Sequence, residues 1–281
     1  MQVTDRAIFR PGVIYVPPSN HHLLVNRTEV AAVFGPRENR SRPSIDTLFR
    51  SAAAYNGTRV IAILLTGYLN DGVNGLAAVK QCGGVAMVQS PQEADAPDLP
   101  ENAIRQVDVD QVLTLEQVAA EIRRIAGAPV DQPVVNVPEE IMEEVKFSEH
   151  QVPDLDRMDA LGDRTPYTCP ECGGTLWNVK GRDPAGHYVC HTGHSFTIES
   201  FLSGQAEVIE NSLWAAVRYL QERANVLKKL STDARTRGKE STTADFEQRM
   251  DEMKKHALII RRFIMSGIFS AADTPKPAAT G

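Results

Sequence analysis

Residues 60–75 read VIAILLTGYLNDGVNG, an unbroken apolar run followed by a loop rich in glycine and asparagine. The run Val60–Leu65 does not alternate with polar residues, which is typical of a β-strand covered on both faces. A helical pattern to about Gln81 follows the loop, and Val85–Val88 is the next buried run. A strand, a helix and a second strand in this order indicate a parallel α/β sheet.

The flanking sequence continues this alternation over residues 1–127, which we expect to form an α/β domain. Further strands are predicted at Val13–Val16, Leu23–Val25 and Val109–Leu113, and helices at Ile45–Tyr55, with Ser44 as N-cap, and at Leu115–Ile125.

Composition excludes several classes of protein. With 281 residues, of which 42% are hydrophobic and 23% charged, the chain is neither collagen, nor wholly disordered, nor a disulfide mini-protein. No signal-peptide pattern opens the sequence, and no apolar run is long enough to cross a bilayer. The net charge of −6 makes nucleic acid an unexpected partner. Three of the four cysteines fall within 22 residues, which favours a metal site and a reducing compartment such as the cytoplasm.

Residues 128–166 differ from the α/β part. They contain five prolines, and residues 131–160 carry nine acidic and two basic side chains. We expect an acidic, proline-rich linker that is extended apart from one short helix.

The segment 167–197 carries a metal-ligand pattern. Cys169 and Cys172 form a C-x2-C knuckle, and Cys190 and His194 follow at a separation typical of zinc ribbons. Three thiolates and one imidazole predict a closed, structural Zn2+ site. His191 and His187 are weaker candidates for the fourth ligand. A redox role for Cys169 and Cys172 would need a thioredoxin-like βαβ context, which this segment lacks.

Two helical stripes predict an antiparallel hairpin over residues 198–268. The stripes consist of Ala206, Leu213, Val217, Leu220, Ala224 and Leu227 in the first helix, and of Phe246, Met250, Met253, Ala257, Ile260 and Ile264 in the second. The stripes either pack only on each other or also bind a protein partner. The tail 269–281 is expected to be disordered.

Asp71 lies in the loop at the carboxyl end of a predicted parallel strand, where ligands and reactive side chains collect. A catalytic carboxylate is one interpretation. The alternative is that Asp71 caps the following helix or shapes an Asn-Asp-Gly turn.

The sequence over about residues 10–127 resembles the catalytic domain of CheB-type protein-glutamate methylesterases of bacterial chemotaxis. The residues that carry the resemblance are Pro11 to Pro18 with His22, Gly35-Pro36, Asn39, Arg42 to Asp46, Leu48-Phe49, Ser51 to Ala53, Leu65 to Gly67, Asn70 to Gly72, Gly75-Leu76, Gly83-Gly84, Gln89, Pro100 and Ala103-Ile104.

The resemblance implies a partial doubly wound fold and a Ser-His-Asp hydrolase that removes methyl esters from glutamates on chemoreceptor helices. It places Asp71 where the family has the carboxylate that orients the base histidine. Tyr68 stands where a backbone N–H contributes to the oxyanion hole, although the family usually has a methionine there.

The nucleophilic serine and the base histidine of the family lie upstream of the segment that resembles Pro11 onward. No serine in residues 1–130 sits in a G-x-S-x-G elbow, and His22 corresponds to a position outside the triad. We therefore expect a truncated or split protein with an exposed apolar edge that is inactive alone. The alternative is an inactive adaptor that uses the zinc segment and the hairpin for protein contacts.

The second half resembles, less specifically, a C-terminal extension of some chemotaxis-esterase-like proteins. This resemblance rests on Thr168 to Pro170, Cys172 to Gly174, Leu176-Trp177, Cys190, Gly193-His194 and Leu213 to Ala216.

Overall fold

The apolar run at residues 60–65 forms the first strand of a three-stranded parallel sheet in the computed structural model, which describes residues 1–126, 129–130, 137–149, 154–180 and 186–267. The elements up to residue 126 are β1 (Arg6–Ile8), β2 (His22–Val25), β3 (Glu29–Val33), α1 (Ile45–Asn56), a 3-10 turn (Gly57–Arg59), β4 (Ile61–Leu64), α2 (Val73–Gln81), β5 (Val85–Gln89), α3 (Asp98–Gln106), β6 (Gln111–Leu113) and α4 (Leu115–Ala126). Strands β4, β5 and β6 pair in parallel in this order. The predicted α/β class with a parallel sheet is confirmed.

A second sheet is antiparallel, with the order β1-β3-β2. The strand predicted at Val13–Val16 is wrong, because only Val16 makes a bridge, to Gln2, and Ile14 is 80% exposed. Pro11-Gly12 and Pro17-Pro18 flank this run, and proline cannot donate to a sheet ladder.

The core of the α/β part lies between the parallel sheet and its helices. It includes Ala53 of α1, Leu64 of β4, and Leu76 and Val79 of α2. Helices α1 and α2 come very close where Gly75 faces α1, since a Cβ at Gly75 would lie 2.7 Å from Cβ of Phe49 and 2.9 Å from Cα of Asp46. Glycine at this position therefore sets the spacing of the two helices.

The stretch expected to be an extended linker contains two helices where it is described, α5 (Glu139–Ser148) and α6 (Leu155–Leu161). Ile141 and Val145 of α5 belong to the α/β core. Phe147 of α5 packs instead with Trp177 and Val189 of the segment that follows. Helix α5 thus contributes to two cores. It covers part of the apolar surface of the α/β part that the sequence predicts to be exposed.

The Cys/His segment forms an antiparallel four-stranded sheet. Its strands are β7 (Gly162–Thr168), β8 (Thr175–Val179), β9 (His187–Cys190) and β10 (Ser195–Thr197), in the order β10-β9-β8-β7.

Two long helices follow, α7 (Ile198–Thr236) and α8 (Glu240–Met265). The predicted seam is buried at Val217, Ala257 and Ile264. Ser231 donates a hydrogen bond to Glu247 near the connection, as an antiparallel hairpin requires. The predicted hairpin is confirmed.

The chain divides into two compact units, Met1–Phe201 and Leu202–Gly281. None of the helices within the described ranges combines the length and the apolar character needed to cross a bilayer. The tail predicted at 269–281 lies outside the described residues.

Candidate functional site

The loop after β4 is anchored at several points to its surroundings. The backbone N–H of Thr66 donates to Oε1 of Gln89 at 2.8 Å, and that of Gly67 donates to the carbonyl of Ala96 at 3.0 Å. Gly72 has a φ of 103°, and a Cβ there would lie 2.7 Å from side-chain atoms of Ile45 and Leu64. The loop therefore needs glycine at 72 and holds a defined conformation.

Asp71 caps helix α1, which precedes it by 26 residues in the chain. Its carboxylate accepts hydrogen bonds from Oγ of Ser44 at 2.6 Å, from N–H of Ile45 at 2.9 Å and from N–H of Asp46 at 3.3 Å. Ser44 occupies the predicted N-cap position, but its side chain donates to Asp71 and caps no amide of the helix itself.

The electrostatics of this carboxylate reflect its burial. Burial raises the pKa of Asp71, and the hydrogen bonds from Ser44, Ile45 and Asp46 act in the opposite direction. The neighbouring Asp46 carboxylate accepts from N–H of Gly75 at 2.6 Å and from Nδ2 of Asn39 at 2.6 Å. Burial and the charge of Asp71 raise the pKa of Asp46 well above its usual range.

The structure brings His22 and Ser44 close to Asp71. Their hydrogen bonds do not run from serine to histidine to aspartate, as they do in a catalytic triad. The backbone N–H of Ser44 donates to Nδ1 of His22 at 3.2 Å, and Nε2 of His22 lies 2.8 Å from the carbonyl of Pro36. These contacts define a neutral ring protonated at Nε2. Both ring nitrogens are thus engaged with backbone groups, while the Ser44 hydroxyl donates directly to the carboxylate. Ser44 is 3% exposed, so it is not placed to attack a substrate.

Tyr68 lies in the same loop with its side chain 74% exposed. A backbone donor does not depend on that side chain, so the proposed oxyanion role of its N–H remains a prediction.

A second site is built by two turns of the Cys/His segment. In the first, N–H of Gly173 donates to the carbonyl of Cys169 at 2.8 Å, and in the second N–H of Gly193 donates to the carbonyl of Cys190 at 2.8 Å. These turns bring together one ligand atom each from Cys169, Cys172, Cys190 and His194, all within 4.8 Å of one another.

The spacing of these atoms fits a tetrahedral metal ion. With Zn–S bonds of about 2.3 Å and a Zn–N bond of about 2.0 Å, a tetrahedron places two sulfurs about 3.8 Å apart and a sulfur and a nitrogen about 3.5 Å apart. Sγ of Cys190 lies 3.8 Å from Sγ of Cys172 and 3.6 Å from Nδ1 of His194. A hydrogen bond from Cys169, with further hydrogen bonds from His194 and Thr192, lowers the pKa of Cys190 to about 3, although burial acts in the opposite direction. The thiolate is the form of cysteine that binds metal.

The other candidate histidines lie elsewhere. Nε2 of His187 is 2.8 Å from a carboxylate oxygen of Glu144, and its Nδ1 is 3.0 Å from Nδ2 of Asn74. The ring of His191 covers Gly174, where an added Cβ would meet it at 2.7 Å. Neither ring is part of the four-ligand cluster.

Sequence reasoning missed a set of buried polar residues between the α/β part and the Cys/His segment. Arg50 of α1 forms ion pairs with Glu38 at 2.5 Å and Glu144 at 3.1 Å. Although burial by itself raises the pKa of Glu38, the Arg50 guanidinium lowers it below its usual range. The acidic run around Glu144 is the only signal in the sequence, and it predicts an extended acidic linker and not a buried ion pair.

Comparisons with known proteins agree with the α/β geometry. Residues 1–122 match the family model of the CheB methylesterase. A methylesterase/glutaminase-type protein from Leptospira interrogans is 39% identical over 119 residues, which is 42% of this chain and 62% of that protein. Protein-glutamate methylesterase/protein-glutamine glutaminase 4 of Anaeromyxobacter dehalogenans is 36% identical over 121 residues, 42% of this chain and 34% of that protein.

The Thermotoga maritima CheB methylesterase catalytic domain superposes with a TM-score of 0.42 at 24% identity, covering 44% of this chain and 68% of that one. The chain spans less than two thirds of the length of the two relatives named above. The adaptor alternative receives no support from the comparisons. The predicted resemblance to the CheB-type methylesterase domain is confirmed by the family-model match over residues 1–122.

Proposed function

We propose that residues 1–122 take part in protein-glutamate methylesterase/protein-glutamine glutaminase chemistry of chemotaxis, acting on methylated chemoreceptor helices. The observation that carries this proposal is the family match over residues 1–122, which includes the Asn70-Asp71-Gly72 loop at the carboxyl end of β4. The relatives with the matching names support the substrate class, a glutamate methyl ester or glutamine amide.

In this reaction Asp71 would act as a positioning residue for the base histidine. In a Ser-His-Asp hydrolase the serine attacks the ester carbonyl, the histidine takes its proton, methanol leaves, and water then hydrolyses the acyl-enzyme. An ionised carboxylate has about four lone-pair positions, and three donors occupy Asp71 here. One acceptor position is left for the N–H of a base histidine, and the three existing bonds would fix the carboxylate in place.

Ser44 and His22 do not supply this serine and histidine, because the Ser44 hydroxyl donates to Asp71 and both ring nitrogens of His22 are engaged with backbone groups. We therefore expect the purified chain alone to release methanol from methylated receptor fragments only at background. Joining the part of the Leptospira relative that the match leaves out to this chain should restore release.

The test compares this joined protein with two variants. Asp71→Ala should lower kcat by on the order of 10^4-fold, because the histidine loses its orienting partner. Ser44→Ala removes one hydrogen bond to the same carboxylate and should retain activity within about tenfold. A folded joined protein that releases no methanol, or an Asp71→Ala variant that keeps full activity, would contradict the proposal.

We also propose that Cys169, Cys172, Cys190 and His194 hold a structural Zn2+ ion. Four protein ligands fill a tetrahedral zinc and leave no position for water, so the ion would stabilise the fold without taking part in hydrolysis. The tetrahedral spacing of the ligand atoms supports zinc. Elemental analysis of the purified chain should give about one zinc per polypeptide, and Cys172→Ser should lower this content. A metal-free chain in zinc-containing medium would contradict the site.

A cytoplasmic location suits both proposals. The four cysteines form no disulfide, although three of them cluster, and thiolate metal sites persist where thiols are kept reduced.

A further inference from the structure

We propose that the metal ion governs the conformation of the Asp71 loop and of helix α2, by holding strands β9 and β10 against them. This inference rests on the zinc site proposed above. The connection is a row of hydrogen bonds, here called the polar seam. It joins Asn39, Asn70 and Asn74 of the α/β part to residues 187–200, which span the end of the Cys/His segment and the first residues of α7.

One end of the polar seam lies directly after the ligand His194. N–H of Asn39 donates to the carbonyl of Ser195 at 2.8 Å. Oδ1 of Asn39 accepts from N–H of Thr197 at 3.0 Å and from Oγ of Ser200 at 2.8 Å. Asn39 itself donates to Asp46, whose other oxygen holds N–H of Gly75 in the first turn of α2. Strand β10 is thereby connected to α2 through two buried side chains.

The other contacts reach the loop and the helix directly. Nδ2 of Asn70, adjacent to Asp71, donates to a carboxylate oxygen of Glu199 at 2.6 Å, and Asn70 is fully buried. Nδ2 of Asn74, in the first turn of α2, lies 3.0 Å from Nδ1 of His187. His187 precedes the ligand Cys190 by three residues, so the polar seam flanks the metal site on both sides.

The metal is needed because β10 is a short edge strand of the four-stranded sheet. Within this sheet it pairs only with β9 and over only three residues, so few backbone hydrogen bonds hold it in place. Cys190 ends β9, and His194 lies in the turn that joins β9 to β10. Free energy of metal binding in such sites appears as folding free energy, so removal of the ion should release this turn and with it the polar seam.

Cys82 reports whether α2 responds. It directly follows α2, is fully buried in the α/β core, and is the one cysteine of four that is not a ligand. If loss of the metal disrupts the polar seam and α2, chelation makes all four thiols reactive, Cys82 included. If the α/β part is independent, only the three ligand thiols react.

The experiment uses the full zinc-loaded chain, with metal content measured first. Iodoacetamide labelling is mapped by mass spectrometry with and without a zinc chelator. We expect chelation to accelerate labelling of Cys82 at least about tenfold, since local opening controls access to a buried group, and re-addition of zinc before labelling to restore protection. Protection of Cys82 that persists after zinc removal would overturn the inference while leaving the zinc site intact. A chain that binds no zinc would overturn both.

A second variant separates transmission through the polar seam from general unfolding. Asn74→Ala keeps a good helix former in α2 and removes the donor to His187. It should keep one zinc per chain and label Cys82 about five- to tenfold faster than the wild type, as expected for one lost buried hydrogen bond. Asn211→Ala, the same substitution at an exposed position of α7, is the matched control and should label at the wild-type rate. Wild-type labelling in Asn74→Ala would show that the polar seam is not the route.

Discussion

Residues 1–201 and the helical hairpin that follows bury different kinds of side chain. In the first unit charged groups lie inside, since Arg50 and its partner Glu144 each expose only 3% of their side chains. In the hairpin, burial rests on the apolar seam of Val217, Ala257 and Ile264. Its described ion pairs, such as the one between Arg235 and Glu247, are exposed. A periodic apolar seam can be read from one helix at a time, whereas a buried ion pair exists only once distant segments have met.

The two kinds of interior respond differently to substitution. A buried charge that loses its partner destabilises the whole region around it, because the remaining charge stays desolvated. A smaller apolar side chain in a helical seam removes contacts in proportion to the atoms lost. The two tryptophans, Trp177 in the first unit and Trp214 in the hairpin, allow each unit to be followed separately.

The largest effect is expected from Arg50→Met, which removes the guanidinium that pairs with both buried carboxylates, Glu38 and Glu144. It should lower the unfolding free energy of the first unit by about 3–5 kcal/mol, with little change in the hairpin. Denaturant titration of the Trp214→Phe form, in which only Trp177 fluoresces, measures this loss. Arg164→Met, which breaks an exposed pair with Asp159, is the control and should cost less than about 1 kcal/mol. Equal losses in the two variants would mean that the buried pairs do not set the first unit apart.

A smaller loss, confined to the hairpin, is expected from Val217→Ala. Removing two buried methyl groups and leaving a small cavity should lower hairpin stability by about 2 kcal/mol. Fluorescence of Trp214 in a Trp177→Phe form follows the hairpin. Val226→Ala, on the same helix but 58% exposed, should change its stability by less than about 0.5 kcal/mol. Destabilisation of the first unit by Val217→Ala would show that the two interiors depend on each other.

Predictability from sequence follows the same division. The strand at Ile61–Leu64, helix α2 and both hairpin helices were predictable, because continuous apolar runs and helical stripes are local signals. The strand predicted at Val13–Val16 failed because its residues are apolar but lie at the surface between prolines. The linker prediction failed for α5, where Ile141 and Val145 are core residues among four glutamates of the same helix.

The candidate sites show the same contrast. The ligand set of Cys169, Cys172, Cys190 and His194 could be proposed because metal ligands occur at characteristic spacings. The role of Asp71 as a cap of α1 could not, since its partners lie about 26 residues away and no local pattern links them. The polar seam joins residues up to 161 positions apart, as between Ser200 and Asn39. A single sequence contains no signal for such distant pairs.

A moderate effect is expected from Asp71→Ala, which removes the acceptor for two amides at the start of α1. By analogy with lost helix caps, the first unit should lose about 1–2 kcal/mol of unfolding free energy. Asp71→Asn keeps one acceptor oxygen and should lose less. Asp98→Ala, at an exposed first-turn position of α3, is the control. If Asp71→Ala unfolds at the wild-type denaturant concentration, the capping bonds do not stabilise the first unit.

The smallest effect concerns the protonation of His22. Burial lowers the pKa of this imidazole, despite the opposing charge of Glu38 and the hydrogen bond to Pro36. The unfolded chain, with a histidine pKa of about 6.5, therefore binds a proton more readily than the folded chain. Unfolding free energy rises with pH in this window, so the contribution of His22 is present above about pH 6.5 and declines as the pH falls below it.

Nitrogen-15 NMR of the His22 ring measures this directly in the zinc-loaded chain. We expect a neutral ring protonated at Nε2 at pH 6.5, because Nδ1 accepts from the backbone N–H of Ser44 and the carbonyl of Pro36 can accept only from a protonated Nε2. A ring that is mostly protonated at this pH, or neutral with its proton on Nδ1, would contradict these contacts. His22 would then behave like the solvated charged groups of the hairpin, and not like the paired polar groups buried in residues 1–201.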